Sequence, residues 1–165
     1  MRGGVKIKYP IKTLIAVAAP VISLDLVTKE LVMRLMVYGQ SIPVVPGFFN
    51  LVYYKNPGAA FSVFSSGGAL RTLFLIGSSV IALAVIAVLL RQSAGRWMTI
   101  ALSLIAGGAA GNLIDRVRFG WVVDFLDIYA GGSHWPAFNV ADSAITIGVG
   151  MALINHYLAG KKSQG

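Results

Sequence analysis

Apolar positions along the chain gather into four long stretches, at about 13–37, 70–90, 97–116 and 141–159. Each is near the length that crosses a hydrocarbon core, about 17–25 residues. Thr72 to Leu90 and Trp97 to Ile114 carry no charge at all. The first stretch holds Asp25, Lys29, Glu30 and Arg34, and the fourth follows Asp142. Between the first two stretches the pattern changes. Phe48-Phe49-Asn50-Leu51-Val52-Tyr53-Tyr54 is aromatic and β-branched, which predicts a strand, and Gly58, Gly67 and Gly68 predict turns. The segment at about 117–140 contains Trp121, Gly131, Gly132, Trp135 and Pro136. It predicts a loop with one short helix lying in the interface. The expected fold is therefore an α-helical integral membrane protein. It has four transmembrane helices, a small extracytoplasmic β-sheet and a short interfacial loop helix, in a single domain over residues 1–165.

Composition agrees with this pattern. The chain is 56% hydrophobic and 12% charged, with a mean hydropathy of +0.75. Soluble domains carry about 25% charged residues, so an ordinary soluble domain and a disordered chain are both excluded. Cysteine is absent, which removes disulfides, thiolate nucleophiles and Cys-based metal sites. The two histidines, His134 and His156, are too few for a His-rich metal site. No metal and no cofactor is expected. Lys and Arg outnumber Asp and Glu by eight. That excess could suggest nucleic acid, but its distribution points to membrane topology. Arg2, Lys6, Lys8, Lys12, Arg91, Arg96, Lys161 and Lys162 lie in the two tails and the loop between the second and third spans. An even number of spans places all of these on one side, cytoplasmic by the positive-inside rule. The basic start followed by an apolar run is similar to a signal peptide. It is read as a first span, because no convincing small-residue cleavage site follows it.

A charge at the centre of a membrane helix costs at least ~2.5–3.5 kcal/mol on insertion scales, so the acids form a short list for function. Asp25 and Lys29 are spaced i, i+4 and share a face. They read as an internal ion pair; a Ser/Lys catalytic pair built on Lys29 has no further support. Asn112, Asp115 and Arg116 follow Gly107-Gly108-Ala109-Ala110-Gly111, whose small residues let another helix approach closely. These three read as polar glue between helices or as supports for a catalytic acid. Asp124 and Asp142 flank the loop that joins the third and fourth spans, so folding back can bring them together. Two carboxylates about 3 Å apart cannot both ionise and share one proton near neutrality. One could then activate water while the other protonates a carbonyl oxygen. Capping of helix starts by either Asp, or a proton or ion pathway, remains open on spacing alone.

Several blocks in register resemble the bacterial lipoprotein signal peptidases, also called signal peptidase II. They are Asp25-Leu26-Val27-Thr28-Lys29, Asn56-Pro57-Gly58-Ala59-Ala60-Phe61, Gly111-Asn112-Leu113-Ile114-Asp115-Arg116, Val123-Asp124-Phe125 and Phe138-Asn139-Val140-Ala141-Asp142. The resemblance implies an aspartic endopeptidase of the bacterial cytoplasmic membrane, multi-pass, with both termini cytoplasmic and the active site at the outer face. Its substrate would be a diacylglyceryl-modified prolipoprotein, cut before the lipidated cysteine. The resemblance implies Asp124 and Asp142 as the catalytic pair. Asn56, Gly58, Asn112, Arg116 and Asn139 would line the site, with Asp25, Lys29 and Asp115 in support. Substrate and membrane lipid are the expected partners, with no nucleic acid, and the chain is expected to act as a monomer. Asn56 is expected to hydrogen-bond the substrate backbone near the cut. A small proton-coupled transporter or a non-enzymatic membrane adaptor are the alternatives. The transporter would use the same acids, but no inverted repeat is visible. A zinc peptidase is disfavoured because HExxH is missing.

Overall fold

The computed structural model describes residues 10–58, 68–92 and 95–162. In chain order it contains helix α1 (Pro10–Leu35), strands β1 (Ser41–Val45) and β2 (Phe49–Asn56), and helices α2 (Gly68–Gln92) and α3 (Arg96–Phe119). Strands β3 (Val122–Ala130) and β4 (Ser133–His134) and helix α4 (Val140–Lys162) follow. The expected positions Arg2, Lys6, Lys8, Ala59, Ala60, Phe61 and Gly67 lie outside the described residues.

Among the described residues three helices are long and apolar enough to cross a membrane: Ile11–Leu35, Gly68–Gln92 and Arg96–Phe119. Their outward surfaces are apolar, with Leu24, Leu73, Ile81, Val85 and Val88 all exposed. Lipid supplies the solvent such side chains require. Pro20 lies inside α1, a position a soluble helix would resist but a membrane helix tolerates. Helix α4 packs along α3 and carries Asp142, Asn155 and His156 among its apolar residues.

Helix α3 is the hub of the bundle and touches each of the other three helices. Its glycines make this possible. A Cβ on Gly107 would lie 3.1 Å from the Ala18 backbone of α1, and one on Gly108 would run into the Ala141 carbonyl of α4. On α4, a Cβ on Gly148 would lie 2.7 Å from the Ala101 carbonyl of α3. Backbone cannot yield as a flexible side chain does. Gly108→Ala is therefore expected to destabilise the protein by about 1–3 kcal/mol, read as a lower unfolding temperature in detergent. An unchanged midpoint would show that the helices part freely.

At one end of the bundle the four strands form an antiparallel sheet in the order β1-β2-β3-β4. Val32 and Met36 of α1 pack with Tyr53 of β2 and with Val123 and Phe125 of β3, fastening the sheet to the helix end. A second apolar cluster, Ile86 and Leu90 of α2 with Leu102 of α3, is flanked by Leu14 near the start of α1. The polar residues singled out above sit between these two apolar regions. Lys55 also pins the sheet, its ammonium 5.0 Å from the Tyr38 ring and 4.8 Å from the Trp121 ring.

The segment expected to hold a short interfacial helix is a strand instead. Gly120 ends α3 in the left-handed conformation (φ 79°), its N–H donating to the Arg116 carbonyl. The β-branched and aromatic run Val122-Val123-Asp124-Phe125 then pairs with β2, with Asp124 opposite Tyr54. Such residues suit a pleated, buried surface better than a helix. On the same strand Asp127 accepts hydrogen bonds from Asn50 (2.8 Å) and meets Nδ1 of His134 at 2.8 Å. Burial raises the Asp127 carboxyl, but the His134 and Asn50 contacts outweigh it and leave it below the usual carboxylate range. This group ties β2, β3 and β4 together away from the remaining acids.

Candidate active site

The site is built on a lysine. Lys29 is buried on α1, and its ammonium meets Asp25 at 2.8 Å and Asp115 at 3.0 Å. It also donates to Asn112 Oδ1 at 2.9 Å. An ammonium has three donors, and each has a partner here. The i, i+4 ion pair read from the sequence is present, and Asp115 of α3 joins it from across the helix interface.

Both carboxylates on Lys29 also reach backbone. Asp25 Oδ1 accepts the N–H of Ala141 at 2.9 Å, and Asp115 Oδ2 accepts the N–H of Val123 at 3.1 Å. Ala141 precedes Asp142, and Val123 precedes Asp124. One buried cation thus holds, through two acids, the two chain segments that carry the other two acids. Gly111 makes room for this arrangement, because a Cβ there would lie 2.6 Å from Asp25 Oδ2.

Asp142 lies in the first turn of α4. Asn139, just before that helix, accepts the Asp142 N–H through Oδ1 at 2.9 Å. The Asp142 carboxylate in turn accepts the Asn139 N–H through Oδ2 at 3.3 Å. This is a reciprocal capping box. The capping alternative is therefore real for Asp142, yet it occupies one oxygen only. The other, Oδ1, accepts from Asn112 Nδ2 at 2.8 Å.

Asp124 projects from β3 and is 3% exposed. Its Oδ1 accepts from Asn139 Nδ2 and its Oδ2 from Asn56 Nδ2, both at 2.8 Å. Asn139 is thus bonded to Asp124 by its amide group and to Asp142 by its backbone. Burial pushes the Asp124 carboxyl up to about 7, and the charge of Asp142 adds to the rise. Hydrogen bonds from Asn56 and Asn139 and the charge of Lys29 oppose it. A carboxyl so placed exchanges its proton near neutrality, as general acid–base chemistry requires.

Asn56 bonds Asp124 through Nδ2 and accepts the Gly58 N–H through Oδ1, both at 2.8 Å. This is an Asx-type turn. Gly58 completes it at φ +84°, its face filled by Leu75 of α2. Arg116 interacts electrostatically with Asp142, Asp124 and Asp115. Its Nη1 reaches Ser79 of α2 at 3.4 Å. Ser79 was missed in the sequence, where nothing links it to α3. The roles of the Val123 and Ala141 amides were missed too, since backbone carries no residue-type signal. Among the described residues no group of three or more His, Asp or Glu side chains is arranged to hold a metal ion.

Residues 17–158 match the family profile described as Signal peptidase (SPase) II. This chain belongs to the signal peptidase II family. A lipoprotein signal peptidase from Syntrophotalea carbinolica is 46% identical over 158 residues, covering 93% of this chain and 96% of the relative. One from Geobacter metallireducens is 50% identical over 141 residues, covering 84% and 86%. A bacterial membrane enzyme solved by the in meso method at 2.3 Å has a TM-score of 0.83 and 36% sequence identity. The match covers 96% of this chain and 94% of that one. A second such structure, at 1.9 Å, has a TM-score of 0.82 and 39% identity, covering 90% and 94%. As a signal peptidase II, the chain is a multi-pass bacterial membrane protein and a membrane aspartic endopeptidase.

Proposed function

We propose that Asp124 and Asp142 are the catalytic pair of this peptidase, and that it removes the signal peptide from diacylglyceryl-modified prolipoproteins by cutting before the lipidated cysteine. The observation that carries this reading is Asn139, bonded to both carboxylate-bearing residues at once. The ionised member of the pair takes a proton from water, whose oxygen attacks the scissile carbonyl carbon. The protonated member gives its proton to the carbonyl oxygen. When the tetrahedral species collapses, one of its hydroxyls returns a proton to one carboxylate, the C–N bond breaks and the leaving amine receives a proton from the other carboxyl, so the pair ends with the single proton it began with. Water is consumed, and no covalent enzyme intermediate forms. Asn112, Asn139 and Asn56 hold the carboxylates, and Arg116 offsets their charge.

The relatives named above are lipoprotein signal peptidases, and the architecture suits such a substrate. The pair lies where the sheet meets the bundle, so a lipid-anchored peptide can be cut at the membrane surface while its acyl chains stay in lipid. With α4 as a fourth span, both tails and the loop at Arg91 and Arg96 fall on the cytoplasmic side, and the pair faces outward. Helix α4 has 23 residues, and at 1.5 Å per residue its length of roughly 34 Å exceeds a core of about 30 Å.

The test is incubation of the purified protein with a diacylglyceryl-modified prolipoprotein, read as a mobility shift on a gel. A transporter or an adaptor would leave the substrate whole. The pH profile reports the shared proton. Below about 7 Asp124 keeps its proton and can serve as the acid. Above it Asp124 ionises and that acid is lost. The kcat/KM of the free enzyme is therefore expected to fall as pH rises through about 7. A profile flat to strongly alkaline pH would refute the shared proton.

A further inference from the structure

On the outside of the bundle, Leu26, Val27, Glu30, Leu31 and Arg34 of α1 line an open groove with Arg118 of α3, with a volume of about 410 Å³. These α1 positions form one helix face, turned away from Asp25 and Lys29. The groove is thus separate from the catalytic pair. Its volume falls within the roughly 300–1,000 Å³ typical of ligand sites.

The lining is ordered by depth. Helices α1 and α3 both end at the sheet, so Arg34 and Arg118, each in a last turn, lie at the level where lipid headgroups begin. Leu26, Val27 and Leu31 lie deeper; Leu26 to Arg34 spans roughly 12 Å at 1.5 Å per residue. Glu30 sits between the arginines, 2.8 Å from Arg34 Nε and 3.8 Å from an Arg118 terminal nitrogen. One acid thus faces two cations, leaving one positive charge at the mouth. Arg34 is 73% exposed and Arg118 48% exposed, and each guanidinium has five N–H donors. A cation is favoured at any helix C-terminus, but that does not account for the apolar groove beneath.

We propose that this groove binds one anionic phospholipid of the leaflet at the sheet end. The phosphate takes the outward N–H groups of Arg34 and Arg118, on the side away from Glu30, and an acyl chain lies along Leu26, Val27 and Leu31.

The test is native mass spectrometry of the delipidated full chain reloaded with phosphatidylglycerol or phosphatidylcholine at equal concentration. Wild type is expected to retain phosphatidylglycerol about fivefold better, the factor one basic residue supplies near a membrane surface. Arg34→Gln with Arg118→Gln is expected to abolish that preference. Glu30→Gln, which removes the competing acid, is expected to strengthen it, and this gain cannot arise from misfolding. Lipoprotein cleavage is expected to persist in both variants, so a failure here is distinguishable from a failure of the catalytic reading. Equal retention of the two lipids by wild type, an unchanged preference in the double variant, or a weaker one in Glu30→Gln would overturn the site.

Discussion

Asp124→Asn and Asp142→Asn are each expected to lower turnover of a lipidated prolipoprotein by at least about 10²–10⁴-fold, the usual contribution of a positioned acid or base. Asparagine keeps the shape of the carboxyl, and its oxygen still accepts a hydrogen bond. At position 124 asparagine keeps an acceptor for one of the two bonds from Asn56 and Asn139, while the other donor meets an amide N–H in place of an oxygen, with no change of size. Folding is therefore expected to survive, and a thermal melt in detergent separates lost chemistry from lost structure. The two variants differ in one respect. Asp142 also receives the Asn139 N–H, so Asp142→Asn is expected to loosen the start of α4 as well. Combining the two is expected to cost little more than either alone, because members of a unit are not additive. Retained cleavage by either single variant would remove that residue from the pair.

The second large effect is expected at Lys29. Lys29→Met leaves Asp25 and Asp115 facing each other, each at most 1% exposed, with no cation between them. Removing one partner of a buried ionic group costs about 3–5 kcal/mol. A large drop in unfolding temperature is expected, with activity lost before the fold, because the same acids hold the Val123 and Ala141 amides. Adding Asp25→Asn and Asp115→Asn is expected to recover part of the stability, since replacing a whole buried ionic group is far milder than breaking it. If Lys29→Met alone melts like wild type, the ionic group does not hold the site together.

The membrane helices were legible because a span must be apolar along its length, a property the chain shows directly. The acids were legible for the converse reason: in so apolar a chain each charge needs a partner, and Asp25, Lys29 and Asp115 proved to be partners of one another. Strand β3 was not legible. Asp124 and Asp127 interrupt its apolar pattern, and its pairing partner β2 lies about 70 residues earlier, so only tertiary contact selects the extended form. The reciprocal cap between Asn139 and Asp142 was not legible, because an Asn and an Asp three residues apart do not reveal where the helix starts. Asn56 bonds Asp124 and the Gly58 N–H, contacts that its spacing does not reveal. A side chain with both a donor and an acceptor can face a substrate or a neighbour, and spacing does not say which.

The lysine hub has a consequence for an enzyme working in a bilayer. Membrane helices tilt as the surrounding lipid thins or thickens, and a cutting apparatus assembled from separate helices would lose its alignment with every such change. Here the strand and the helix start that bear Asp124 and Asp142 are tethered, through Asp115 and Asp25, to a single lysine on α1. The spacing of the blades is thereby insulated from the tilt of the handles.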